Sequence, residues 1–270
     1  AIRLPLILTL ALGVGALITS IRLEEPESEK EAREKAREAP TGATIRAAFA
    51  KTLSTGKWIL NTPMALMIIL GGFLNDHIAR MILTLNSEYY RRIELPEASF
   101  GIISAGFGIL GVFTPRIGRW LCENRSKSFN YYLLGVMTLI GLYGMTWFFP
   151  VWGVAPMLFI YVSIGLTGYL VSSYLNEVTP SDARATALSF KGLSYNLAYG
   201  GIGLLYSLLV YKLRNQDSYE ALGTEELGAA LFKGALGYFP AYFIIVFAIS
   251  LAYGFYNRKA IGTKTRVRTE

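Results

Sequence analysis

The strongest constraint on this chain is the recurrence of long apolar stretches, at 4–21, 63–85, 98–115, 129–149, 152–175, 187–211 and 235–256, with most charges gathered between them. About 20 helical residues cross the hydrocarbon core of a bilayer, so stretches of this length read as membrane spans. A soluble core has no use for so many of them. Lipid offers no partner to backbone N–H and C=O groups, and the stretches lack the two-residue alternation of a barrel strand. The expected fold class is all-α, a polytopic transmembrane helical bundle of seven spans. The first stretch, with Arg3 ahead of it and small residues near Ser20, could mimic a signal peptide. Its length and the acidic segment after it favour a true span.

Basic residues orient the bundle. Of the 26 Lys and Arg, 19 fall in 22–57, 116–127, 184–191 and 258–268; six fall at 3, 91–92, 212–214 and 233, and Arg80 lies within a span. The positive-inside rule puts the richer side, with the C-terminus, in the cytoplasm and the N-terminus outside. The net charge of +7 is accounted for by these loop anchors, so no nucleic-acid partner is expected. Cys122 is the single cysteine, which excludes a disulfide framework within the chain and argues against thiolate metal ligation. The reading calls for no metal and no cofactor.

The long polar segment 22–61 has two parts. Residues 24–39 are charge-dense, with Glu29/Arg33 and Glu31/Lys35 at i,i+4 spacing, as in a solvated helix. Residues 44–58 place Ile45, Ala48, Phe49, Thr52 and Leu53 on one face with Arg46, Lys51 and Lys57 alongside, the pattern of a helix lying on the inner membrane surface.

Two motifs mislead. Gly106, Gly108 and Gly111 satisfy G-x-G-x-x-G, but the nucleotide reading needs a strand-to-helix turn, and here the glycines lie within a span. Asn124-Arg-Ser126 matches a glycosylation sequon on the side assigned to the cytoplasm.

The second span is the chemical anomaly. Asn75, Asp76, His77 and Arg80 lie inside 63–85, where ionisable groups are expensive and mark pathways by default. Asp76 and Arg80 stand one turn apart and can neutralise each other, and Thr84 and Ser87 continue that face. His77 points about 100° away and is the one side chain able to titrate near neutral pH. The alternative is an ion pair that only orients the helix. In the fifth span Tyr161, Gly165, Gly168 and Ser172 share a face, with Tyr169, Ser173 and Asn176 adjacent. In the sixth, Tyr195, Tyr199 and Tyr206 align near Asn196. These stripes fit either a cavity wall or plain helix packing.

Gly111-Val-Phe-Thr-Pro115-Arg116-Ile-Gly118-Arg119 resembles the G-x-x-x-D-R-x-G-R loop signature of the major facilitator superfamily. Pro115 replaces the acidic residue and Trp120 the last basic one. The stretch from Glu177 through Pro180, Asp182 and Arg184 to Ser189 resembles that family's loop between its tenth and eleventh helices. The resemblance covers essentially the whole chain as helices six to twelve. It implies a last helix of a preceding half (1–21), a cytoplasmic linker (22–61), a six-helix bundle (62–256) and a basic cytoplasmic tail (257–270). A chain that starts on a span without an initiator Met agrees with a missing upstream half.

The resemblance further implies a secondary active transporter in the cytoplasmic membrane, moving a small organic solute by alternating access with ion or proton coupling, in efflux or uptake. Its partners are the bilayer, the first transporter half and the solute. The implied pathway residues are Asn75, Asp76, His77, Arg80, Thr84, Tyr161, Tyr169, Asn176 and Tyr195. The implied gate comprises Gly111, Gly118 and Arg184, with Arg116 or Arg119 clasping Glu177 or Asp182. Helix caps and loop anchors are the bland alternative for the gate residues. No phosphate loop supports ATP coupling. No Ser/His, paired-Asp or His-x-x-x-His arrangement at membrane depth supports an enzyme. A seven-helix receptor or a non-transporting membrane fragment is the rival. A retinal protein is excluded, because 235–256 holds no Lys.

Overall fold

The computed structural model describes residues 3–22, 41–220 and 222–257. The charge-dense 24–39 stretch and the tail beyond Asn257 lie outside them. Among the described residues every regular element is helical: α1 (Arg3–Ile21), α2 (Thr41–Asn61), α3 (Pro63–Thr84), α4 (Asn86–Arg92), α5 (Glu97–Asn124), α6 (Lys127–Met145), α7 (Val154–Val178), a 3₁₀ turn (Ser181–Ala183), α8 (Arg184–Arg214), α9 (Asp217–Glu220) and α10 (Thr224–Tyr256). Five of these (α3, α5, α7, α8 and α10) are long and apolar enough to cross a membrane, which is the architecture of a membrane-embedded helical protein. The other two expected spans are helical but fall outside that five. The 19-residue α6 carries Lys127, Asn130, Tyr131 and Tyr132 in its first turns. The described apolar part of α1 is Leu10–Ile21.

The chain divides into two compact units, Ala1–Lys51 and Thr52–Glu270. In the first, α1 leaves Leu10, Leu12, Leu17 and Ile21 exposed. In the second, the end of α2 does more than lie flat, because Ile59 is fully buried with Ala65, Ile69, Val171, Leu175, Ala187 and Tyr195.

Element boundaries follow local chemistry. Ser126 caps α6 by accepting from the Phe129 N–H, as N-cap hydroxyls do. Pro63 opens α3, where a missing N–H is harmless. Sequence reading ends the third span at Pro115; instead α5 runs on to Asn124. Pro115 deprives the Gly111 carbonyl of its donor, and Thr114 Oγ1 takes that carbonyl up at 2.8 Å. The helix therefore survives its proline, and residues 111–119 form helix rather than loop.

Within the second unit α7 is central, touching α3, α5, α6 and α8, while α3 also meets α10. The α3–α8 seam requires Gly72: a Cβ there would lie 1.7 Å from Tyr195 Oη and 2.6 Å from Val171 Cγ2. A larger apolar cluster fills the bundle around Ile78, Ile82, Tyr89, Ile160 and Phe243.

The 93–95 and 146–153 connections brace each other, the Val151 N–H donating to the Ile93 carbonyl at 2.8 Å and Tyr89 Oη to the Gly153 carbonyl at 3.1 Å. Val151 accepts φ 60° there, a left-handed conformation that costs a residue with a Cβ about 1–2 kcal/mol. Glycine removes that strain but loses about 0.5–1 kcal/mol of chain entropy. Val151 is exposed and packs little, so Val151→Gly should stabilise by about 0.5–1 kcal/mol. Thermal unfolding in detergent checks this; a lower midpoint would mean that the Val151 side chain anchors the turn.

Candidate functional site

Residues on α3 advance about 100° per position, so neighbours in sequence face different helices. The structure accordingly separates the residues read as one polar pathway into three groups.

Asn75 turns into the bundle core. Its Nδ2 donates to Ser163 Oγ at 2.8 Å and Thr167 Oγ1 at 2.5 Å, and its Oδ1 accepts from Thr138 Oγ1. Thr138 and Ser163 bond each other at 2.8 Å. All four residues are buried, so Asn75 ties α3 to α6 and α7 and has no free polar atom for a solute.

His77 faces α10. Its Nδ1 lies 2.6 Å from the Phe73 carbonyl and its Nε2 2.9 Å from Tyr242 Oη. A carbonyl only accepts, so Nδ1 carries a proton, and Nε2 shares a hydrogen bond with the Tyr242 hydroxyl. Both nitrogens are engaged, Nδ1 within α3 and Nε2 across to α10.

Asp76 and Arg80 face α8. Arg80 Nη2 donates to Asp76 Oδ1 at 3.0 Å and lies 2.7 Å from Oδ2, off the N–H direction. Arg80 Nη1 donates to Asn196 Oδ1 at 2.8 Å, and the guanidinium stands 5.7 Å from the Tyr199 ring centre. One turn on, Thr84 Oγ1 and Tyr199 Oη share a hydrogen bond of 2.8 Å. The polar face ends there, because α3 stops at Thr84 and Ser87 belongs to α4. Asp76 is 10% exposed and Arg80 35%, so the pair opens towards the surface between α3 and α8.

Sequence reading placed Lys191 among the loop anchors. It instead lies seven residues into α8, half-buried, with Nζ donating to Ser172 Oγ of α7 at 2.8 Å and standing 5.7 Å from the Tyr195 ring centre. The signal was present, since Lys191 falls inside the apolar stretch 187–211. Tyr195 is buried against Gly72. Asn196 and Tyr199, left as part of an aromatic stripe, are the partners of Arg80 and Thr84. Asn176 Oδ1 is buried without a hydrogen bond.

Of the remaining fifth-span residues, Tyr161, Gly165 and Tyr169 pack on α5, while Gly168 is exposed with open space where a Cβ would stand. Tyr161 lies on Phe107 with ring centres 4.0 Å apart, and Gly165 meets Thr114. Tyr169 covers Gly118, where a Cβ would come within 2.6 Å of the ring. Of the expected gate, Gly111 and Arg116 are exposed. Arg119 pairs with Glu123 at 2.8 Å, and Glu177 accepts from Lys127 at 2.8 Å. Arg184 Nε reaches the Thr179 carbonyl at 3.4 Å, tightening the α7–α8 connection. The side chain of Asp182 lies outside the described residues. An apolar cavity of about 430 Å³ opens elsewhere, between α3, α6, α7 and α10, and is lined by none of Asp76, Arg80 and Lys191.

Searches against family profiles, curated proteins and solved structures give no significant match for this chain.

Interhelical hydrogen bonds in membranes average about 0.6 kcal/mol each, and Asn75→Leu deprives three hydroxyls of a partner at once. The variant should lose about 2 kcal/mol of stability, read as a lower unfolding midpoint in detergent. Unchanged stability would show that Thr138, Ser163 and Thr167 satisfy one another without it.

Proposed function

We propose that the chain is the second half of a secondary active transporter of the major facilitator type, with one preceding helix. It lies in the cytoplasmic membrane as seven spans with its C-terminus inside. It moves a small organic solute by alternating access, driven by an ion or proton gradient. The observation that carries this reading is the Asp76–Arg80 pair, held to Asn196 across two apolar helices and open to one surface of the bundle. Structural ion pairs can also sit in membranes, but a pair left partly accessible retains desolvation cost without full burial. Accessibility is what a binding or proton-transfer site requires. The two loop resemblances and the basic-residue asymmetry support the same reading.

In this reading the first transporter half completes the cavity against α3 and α8. Each half rocks as a body about the site. The α2 face bearing Phe49 and Leu53, which is exposed, rests on the inner membrane surface. The pairs Lys127–Glu177 and Arg119–Glu123 belong to the open gate. On closure they exchange for contacts of Arg116 or Arg119 with Glu177 or Asp182. Asp76 carries the coupling proton when its bond to Arg80 is released. Asn75 and His77 hold the scaffold around it.

Orientation is checked by single cysteines in a Cys122→Ser background. Ser28→Cys and Thr265→Cys should resist impermeant thiol reagents in intact cells, and Glu225→Cys should be labelled. The reverse pattern would invert the topology.

The pair itself is tested by Asp76→Asn alone and together with Arg80→Gln in the full-length protein. The double variant should insert in normal amounts, because a buried pair adds little net stability, while its transport per inserted molecule falls at least about tenfold, the loss of one charge-assisted contact. Wild-type rates and an unchanged pH profile in the double variant would leave the pair a packing device.

A further inference from the structure

Counting charges along the inward-facing helices exposes an imbalance. Asp76 is the single acidic residue in 63–84, 154–176 and 185–211, whereas Arg80 and Lys191 both lie within those stretches. Among the described residues no carboxylate pairs with Lys191; its one hydrogen bond goes to the neutral Ser172 hydroxyl. Arg80 directs one N–H at Asp76 and one at Asn196, which leaves three of its five donors without a hydrogen bond. Lys191 retains two of three. Both cations are backed by tyrosine rings of α8, Arg80 by Tyr199 and Lys191 by Tyr195. Asn196, which holds Arg80, is five residues from Lys191, a rise of about 7.5 Å along α8. Asp76, which pairs with Arg80, is also the carboxylate whose charge reaches Lys191, so two cations with unused donors share one negative charge.

An uncompensated cation inside an apolar bundle is strongly disfavoured unless something of opposite charge completes it. We infer that the α3–α8 site takes an anionic solute, a carboxylate or phosphate oxyanion bound by Arg80 and Lys191. Until it takes up the coupling proton, Asp76 is then a positioning residue. With Asn196 it fixes the guanidinium fork, the geometry suited to a planar or tetrahedral oxyanion. Lys191 supplies the second charge as a point contact. This inference deepens the transporter reading by assigning the class of solute, and it rests on that reading for the solute's being moved.

The test uses the full-length protein in lipid nanodiscs, with succinate and inorganic phosphate as anionic probes and tetraethylammonium and mannitol as cationic and neutral controls. Binding is read as a concentration-dependent rise in unfolding midpoint. At least one anion should bind, and neither control should. Lys191→Gln keeps a donor for Ser172 and should fold, yet weaken the anion about tenfold or more, the scale of one charge-assisted hydrogen bond. Lys191→Arg should restore most of that loss. Succinate alone or phosphate alone identifies the oxyanion. Binding of a control but of neither anion, binding of no probe, or wild-type anion affinity in Lys191→Gln would overturn the assignment. Counterflow in proteoliposomes separates the two readings. Lys191-dependent anion binding without flux removes the transporter and keeps the site. Flux of a neutral or cationic solute unaffected by Lys191→Gln keeps the transporter and removes the anion.

Discussion

A side-chain amide placed inside a bilayer has to find its hydrogen-bond partners within the protein, and Asn75 finds three hydroxyls on two neighbouring helices. Water would compete for such contacts in a soluble protein; lipid cannot. The network sets the rotation of α3 about its own axis. With Asn75 turned towards α6 and α7, the 100° step between residues directs Asp76 to α8 and His77 to α10. The accessible ion pair is thus a geometric consequence of the buried amide beside it.

Charge on the α8 side obeys a different rule. Asp76 and Arg80 neutralise each other, yet their partial exposure keeps them within reach of a molecule lying on that face. Lys191 adds a second cation within reach of the same Asp76 charge, so two positive groups share one carboxylate. A hydroxyl and an aromatic ring hold it in place, and both stabilise an ammonium without cancelling its charge. Such an arrangement is poor as a structural brace, for which a carboxylate would serve better. It suits a cation held ready for a partner that comes and goes.

Small residues let these groups meet. Tyr195 reaches its place because position 72 lacks a Cβ, and Tyr169 closes on α5 because position 118 does. In lipid, close backbone approach and dispersion replace the hydrophobic drive between helices. A glycine on the seam therefore determines which side chains face each other.

The amino-acid sequence by itself determined that the described chain is helical, where its apolar helices lie, though α5 runs on to Asn124 and α10 starts already at Thr224, and that charges sit inside them. Those properties follow from local chemistry: apolar run length, backbone satisfaction in lipid, and the caps and prolines at each end. Even Lys191 was legible as an intramembrane charge, although its place near an edge made it resemble a loop anchor. Only the tertiary structure decided which polar groups meet. Asn75 and Ser163 are 88 positions apart, and Arg80 and Asn196 are 116 apart. No local pattern encodes those pairings. They depend on how α3, α7 and α8 rotate and cross, and packing at residues such as Gly72 settles that rotation. Tyr161 and Tyr169 show the same limit, since their spacing placed them on one face while the neighbouring helix α5 decided what that face would touch.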